Sequence, residues 1–438
     1  MTASTQFVVP TALSRRWKFV RSSDFVSKIL GTYLTRLLLM GVGLLSVVVM
    51  ARILGPEGRG LYAVAATVGA LGVQFGTLGL HTSNAYFAAS KPDSLPALTG
   101  NTLVVGFGFG GLIAAVLGII FVLSPGLLLI RDGTLALALL WIPCGLAFAL
   151  LQNLMLGVQD IRGYNGIEIV NKSFPLVLVG LLVLVRFVTV ASLLSTSVIV
   201  MTASCVWIAR RIRTSCPVRV HLSAAVFLSS IQYAIKAYLA GTFCFLVLRA
   251  DLFMVQHILG PEQAGYYSVA STMADYISAI AAVIGAILFP KLSALNDIRT
   301  KLNLTTKAAI GTTVILFPLL AAASLFARSA VRLFLGSAFL PAVLPFVLLL
   351  PGMLFLGIHT VIVQFLNSLG YPKIIVFIWG ACTFLNIALN LWAIPHYGIA
   401  GASVVSSFSY FLAFLLVVWV VRKTGKSLQG VPLGLETA

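Results

Sequence analysis

Six charged side chains stand inside or at the edge of long apolar runs: Arg36, Lys172, Lys236, Arg249, Asp251 and Asp275. Charge in hydrocarbon is costly, and where it persists it faces a cavity, a partner or a ligand. Arg36 and Lys236 each lie near the cytoplasmic start of a run, with no carboxylate within one helical turn. Two such cations suit a diphosphate, because Arg grips phosphate oxygens bidentately and Lys acts as a point charge. The competing reading is that both snorkel to lipid headgroups. Arg249 and Asp275 stand thirteen residues before and after Glu262. A helical turn centred there puts both about 15–20 Å along their helices, able to pair at mid-membrane, or else Asp251 or Asp275 is an ion-coupling carboxylate. Asp251, two residues from Arg249, faces away from that side of the helix. Glu168 precedes Lys172 by four residues, the favourable order for an interfacial pair. Neutral polar residues also fall in the runs: Gln152, Asn153, Gln364, Asn367, Asn386 and Asn390. They would line a wet interior or bond between helices.

The elements that must position these groups are membrane spans. The chain has 438 residues, 60% of them hydrophobic and 9% charged, with a mean hydropathy of +1.06. A soluble domain carries roughly 25% charged residues, and a run of about 20 apolar residues crosses a bilayer core. Twelve spans are expected, near 30–53, 60–84, 100–123, 134–157, 167–186, 188–209, 229–256, 264–289, 306–327, 340–367, 374–394 and 399–421. With the N-terminus in the cytoplasm, nineteen of the 29 Lys and Arg fall in inside segments and six in outside loops. That bias places both termini in the cytoplasm, and accounts for the net charge of +18 without nucleic acid. No cleavable signal peptide is expected: residues 1–28 are polar and basic, and Trp17 and Phe19 among the cations read as an interfacial segment. The five cysteines form no Cys-x-x-Cys pair and read as small buried hydrophobes. Gly69, Gly72, Gly76 and Gly79 leave one face of the second span bare for close helix packing, as Gly106 and Gly110 do in the third.

One stretch is written twice. ILGPEGRGLYAVA (Ile53–Ala65) and ILGPEQAGYYSVA (Ile258–Ala270) agree at nine of thirteen positions, 205 residues apart. Each copy follows a span and precedes the next, with six spans between copies. Both copies therefore face outward, and the halves are parallel repeats about an axis along the membrane normal. Gly55 and Gly260 end one helix, Pro56 and Pro261 begin the next, and Glu57 and Glu262 suit its N-terminus. The expected organisation is a basic N-terminal segment (1–28), a six-helix lobe (29–210), a basic cytoplasmic linker (211–223), a second six-helix lobe (224–421) and a cytoplasmic tail (422–438).

These residues also carry a resemblance. ARILGPEGRGLYAVA, and LRADLFMVQHILGPEQAGYYSVA followed by LFPKLSAL, resemble the polysaccharide-transport branch of the multidrug/oligosaccharidyl-lipid/polysaccharide exporter superfamily, the O-antigen and exopolysaccharide flippases. The resemblance implies two six-helix bundles in a V around a central cavity. It implies transfer of undecaprenyl-diphosphate-linked oligosaccharide from the inner to the outer leaflet, with a polymerase and export proteins as potential partners, and a monomer. The peptidoglycan-precursor flippases of the superfamily carry two further spans, for which this chain leaves no room. A small-molecule antiporter of the multidrug branch is the alternative.

An enzyme is not expected. There are eleven acids and five scattered histidines, with no Asp-x-Asp and no histidine cluster to hold a metal. No G-x-x-x-x-G-K-[ST] motif binds ATP, and no cofactor is implied. Energy would come from an ion gradient or from substrate supply.

Overall fold

Backbone polar groups in hydrocarbon must be satisfied within their own segment, so apolar runs of this length become helices. In the computed structural model the described residues, 22–124, 126, 133–215, 220–295, 297–370 and 373–429, are helical almost throughout. The helices are α1 (Ser22–Gly76), α2 (Leu80–Ser90), α3 (Leu95–Leu103), α4 (Gly110–Leu123), α5 (Gly133–Gly157), α6 (Ile161–Leu184), α7 (Val190–Ser215), α8 (Ala224–Leu259), α9 (Pro261–Ala294), α10 (Ile298–Ala330), α11 (Val343–Asn367) and α12 (Lys373–Gln429). Single-turn π segments join α3 to α4 and follow α10. The expected interfacial segment with Trp17 and Phe19, Arg131, residues 216–219 of the linker and the tail beyond 429 lie outside the described residues.

Ten helical stretches are long and apolar enough to cross a membrane. Two of them, Leu38–Gly76 and Lys373–Thr424, each contain one non-helical residue: Gly55 (φ 66°, ψ −177°) and Gly398 (φ 59°, ψ −149°). Gly260, between α8 and α9, has nearly the Gly55 backbone, φ 90° and ψ 175°. That region is essentially glycine's alone, which is why glycine stands there in both copies of the repeated stretch.

Side-chain caps start the helices where the chain leaves the apolar runs. Asp160 Oδ1 accepts from Gly163 N (3.0 Å), Ser223 Oγ from Val226 N (3.4 Å) and Asp297 Oδ2 from Thr300 N (2.8 Å). The bare glycine face does pack closely. A Cβ on Gly69, Gly72 or Gly76 would press into Trp141, Ile142 or Leu146 of α5, and one on Gly106 or Gly110 into the α5 backbone at Ala147 or Pro143. Gly79 does not continue that face. Leu78 and Gly79 both take positive φ, the helix ends at Gly76, and α2 begins at Leu80, so the expected span 60–84 is broken near its C-terminal end. The backbone turn aims Gly79 at Ala234 and Tyr238 of α8 instead.

Residues of α1 and α9 share one buried core. Val47, Ala51, Ala63, Val64, Ala65 and Val68 pack in the same cluster as Ala264, Tyr267, Val269, Ala270 and Ala274. A second cluster around Leu98, Leu151, Leu154 and Ile208 has its buried residues in the first half of the chain, with Val226 of α8 packed against it.

Candidate functional site

The two copies of the repeated stretch meet. A Cβ on Gly60 would run into the Pro261 carbonyl oxygen, and one on Gly265 into the Pro56 carbonyl oxygen. The two contacts exchange partners under the 205-residue offset. Glycine is required at both positions because backbone approaches backbone. Arg52, just before the first turn, ties the same end to the second half: its Nε donates to Phe334 O (2.6 Å) and its Nη2 to Leu333 O (2.5 Å), at the end of the helical run through α10. One flank of this seam is joined further along. Tyr238 OH donates to Phe75 O (2.9 Å), Gln74 Nε2 to Thr242 Oγ1 (3.1 Å) and Asn101 Nδ2 to Ser223 O (2.9 Å). Tyr86 and Tyr233 stack with centroids 4.4 Å apart.

Arg36 and Lys236 are both exposed, and neither forms a salt bridge among the described residues. They are not level. Counted from Gly55 and Gly260, Arg36 is about 28 Å and Lys236 about 36 Å along its helix, so Lys236 lies farther from its turn. Arg36 comes within electrostatic range of Tyr164, as does Glu168. The Glu168–Lys172 pair is absent: Lys172 is exposed, and no ion pair joins the two. Solvent screening leaves an exposed pair of this kind little to gain.

Arg249 Nη2 does reach Asp275 Oδ2, at 2.7 Å, with about 32% and 26% of the two side chains exposed. Asp251 faces elsewhere and is buried. Its Oδ2 accepts from Tyr267 OH and, at 2.8 Å, from Ser406 Oγ, while Oδ1 accepts from Leu252 N at 2.8 Å. That triple satisfaction ties α8, α9 and α12 together, and sequence spacing gave no signal of it because Ser406 is 155 residues away.

The neutral polar residues mostly bond within the helix bundle. Asn390 Nδ2 donates to Asn386 Oδ1 (3.0 Å) and Asn386 Nδ2 to Ser409 Oγ (3.1 Å), and both asparagines are wholly buried. They form a helix–helix contact, not an open wall. Asn367 Nδ2 donates to Gln364 Oε1 (3.1 Å), Gln364 Nε2 to Thr360 O (3.1 Å) and Asn153 Nδ2 to Ala149 O (2.8 Å). Gln152 Nε2 is buried without a partner among the described residues. Sequence reading missed Arg59: placed in an outside loop, it is instead buried in the first turn after Pro56. Outside the spans, Asp160 both caps α6 and binds Arg211, whose guanidinium holds the carboxyl below its usual range.

A cavity of about 540 Å³ between α1 and α4, with Phe253 on its wall, is lined by apolar residues alone. It offers nothing to a polar headgroup.

Comparison with known proteins places this geometry. Over 163 residues, 36% of this chain and 32% of the other, it is 28% identical to an uncharacterised membrane protein of Methanocaldococcus jannaschii. Over 174 residues, 40% of this chain and 42% of the other, it is 24% identical to a protein of Shigella flexneri described as a candidate O-antigen transporter. Such matches span a third to a half of the curated relatives' length. An inward-facing multidrug resistance MATE family transporter of the MOP superfamily superposes with a TM-score of 0.71 at 12% identity, over 89% of this chain and 96% of that one. The lipid II flippase MurJ in an inward closed conformation gives 0.69 at 15% identity, over 91% and 87%. The fold is that of these multi-pass membrane proteins. Residues 49–344, well over half of the chain, match the family described as polysaccharide biosynthesis protein, and the chain belongs to that family.

Proposed function

We propose that the protein is a flippase that moves a polyprenyl-diphosphate-linked oligosaccharide from the inner to the outer leaflet of the cell membrane. Family membership supports the glycan, and the fold supports transport without a chemical step. The observation that carries the mechanism is the seam. A helix of 39 or 52 residues is about 58 or 78 Å long, far beyond a hydrocarbon core of about 30 Å. Reading a turn at Gly55 and at Gly398 divides both into two crossings and restores twelve spans. The reciprocal contacts of Gly60 and Gly265 are then those of two lobes related by an axis along the membrane normal, closed on the outward side. Arg36 and Lys236 lie toward the opposite, cytoplasmic end, where a diphosphate arriving from within would meet them first. The lipid tail stays in the bilayer, and rocking of the lobes releases the headgroup outside as a shift between two populated states.

The test is glycan export in a flippase-null strain, with membrane abundance checked. Losing one charge-assisted phosphate contact costs on the order of 1.5–3 kcal/mol, roughly tenfold or more in affinity. Arg36→Ala is expected to depress export strongly and Arg36→Lys to restore part of it. Full export by an Arg36→Ala, Lys236→Ala protein at normal abundance would remove the assignment. A multidrug antiporter is the second reading, favoured by the likeness to the MATE transporter and by the buried carboxylate Asp251. It predicts drug resistance on expression and no glycan export.

A further inference from the structure

Arg59 is 7% exposed. Among the described residues its Nε has no hydrogen-bond partner and no carboxylate forms a salt bridge with it. What surrounds it is aromatic. The guanidinium lies 5.6 Å from the Tyr62 ring centroid and within electrostatic range of Tyr276, which belongs to α9 across the seam. A guanidinium keeps its proton, and a cation–π contact returns only part of the desolvation cost of burying it.

Its place makes the charge harder to explain as structure. Arg59 stands in the first turn after Pro56, where the helix dipole is positive and favours an anion. A second helix N-terminus, at Pro261, abuts Gly60 from the other side of the seam. Nor does the turn need the charge. The equivalent position in the second copy is Ala264, which is fully buried in a hairpin of nearly the same backbone. Along the helices, Arg59 is about 6 Å from the Gly55 turn and Arg36 about 28 Å from it, so α1 carries an unpaired cation toward each end of the seam.

We infer that Arg59 is a second phosphate-binding group, on the outward side, which receives the diphosphate when the two hairpins part. The inference rests on the reading of the substrate given above. With the seam closed by Gly60 and Gly265, Arg59 is largely buried. Parting the hairpins uncovers it between two helix N-termini. A diphosphate that reaches it binds only the parted state, and so draws the population toward release.

The experiment is binding of inorganic pyrophosphate to the purified full-length protein by calorimetry, with the seam wedged open by Gly265→Leu. In that background Arg59→Gln should weaken binding roughly tenfold or more, and Arg59→Lys by less. In the closed protein Arg59→Gln should change little, whereas Arg36→Ala with Lys236→Ala should remove binding. Since Gly265→Leu risks misfolding, Gly60→Ala with Arg52→Ala is the second way to loosen the seam. Unchanged affinity of the Arg59→Gln protein in a folded, opened background overturns the inference. Pyrophosphate binding that ignores Arg36 and Lys236 in the closed protein instead overturns the reading of the substrate. In intact cells, an Arg59→Cys protein should react with an impermeant thiol reagent from outside under export conditions; if it never reacts, Arg59 does not reach the outward side and the inference fails.

Discussion

The two hairpins share a turn and a seam, yet they bury opposite charges. In the first, Arg59 lies under the turn with its guanidinium over the Tyr62 ring and, among the described residues, no carboxylate bridging it. In the second, Ala264 takes that place, and the buried charge is Asp251, on the helix before the turn, with Tyr267, Ser406 and Leu252 N all donating to it. Tyr62 and Tyr267 are equivalent positions, but Ser46 stands where the first half would need the carboxylate. The shared residues therefore make the turn and the reciprocal contact, and the differing ones divide the labour. Asp251 is saturated and holds α8, α9 and α12 in one body. Arg59 is unsaturated, with Nε buried and unpartnered among the described residues.

The largest effect should come from breaking what the hairpins share. Gly60→Leu and Gly265→Leu each force a side chain against a carbonyl oxygen of the other copy. Overpacking of this kind costs about 1–3 kcal/mol. Each substitution should cut glycan export severely and raise labelling of seam residues from outside. If one glycine tolerates leucine and the other does not, the two contacts are not equivalent.

Next comes the saturated charge. Asp251→Ala strands the hydroxyls of Tyr267 and Ser406, at about 1–3 kcal/mol for each unsatisfied group, so the detergent-solubilised protein should melt several degrees lower. Asp251→Asn should recover much of the loss. Arg59→Ala should melt close to the parent despite its burial, since Ala264 occupies the equivalent site. A large drop for Arg59→Ala would make that residue structural and erase the contrast.

The Arg249–Asp275 pair should show a smaller effect, because both side chains are a quarter to a third exposed. Either single alanine is expected to cost about 1–2 kcal/mol in folded yield or melting. Reversing the charges should restore part of it; a reversal no better than either single change would deny the pair its role.

The smallest is outside the membrane spans, where Asp160 caps α6. Asp160 carries a depressed pKa through Arg211 and its cap bond to Gly163 N. Its contribution is therefore present above the unfolded carboxyl value of about 3.9 and is lost as pH falls through the folded one. Arg211→Ala should flatten the stability–pH curve below about pH 4, by less than about 1 kcal/mol for an exposed pair, and leave it unchanged at neutral pH apart from a constant offset.

Much of the fold was legible because a bilayer enforces it: apolar runs of spanning length become helices, and a Gly-Pro-Glu stretch written twice becomes a turn twice. The meeting of Arg249 and Asp275 was legible because both are counted from one turn. Three things were not. Asp251's partners are supplied by α9 and α12, and no local spacing records that. Asn386 and Asn390 read equally well as cavity wall or helix contact, since both put them on one face. Arg59 looked like loop because a cation beside glycine and proline usually is, and only the folded structure shows it buried beside Tyr62.

The measurement that tests the account most directly is transfer of a fluorescent polyprenyl-diphosphate oligosaccharide across the membrane of liposomes containing the purified protein, read by a lectin added outside. The parent protein should deliver the glycan to the lectin, and the Arg36→Ala, Lys236→Ala protein, folded and inserted to the same extent, should do so at least about tenfold more slowly. Equal transfer by both would contradict the account, because the two cations would then be headgroup anchors and the diphosphate would be held elsewhere.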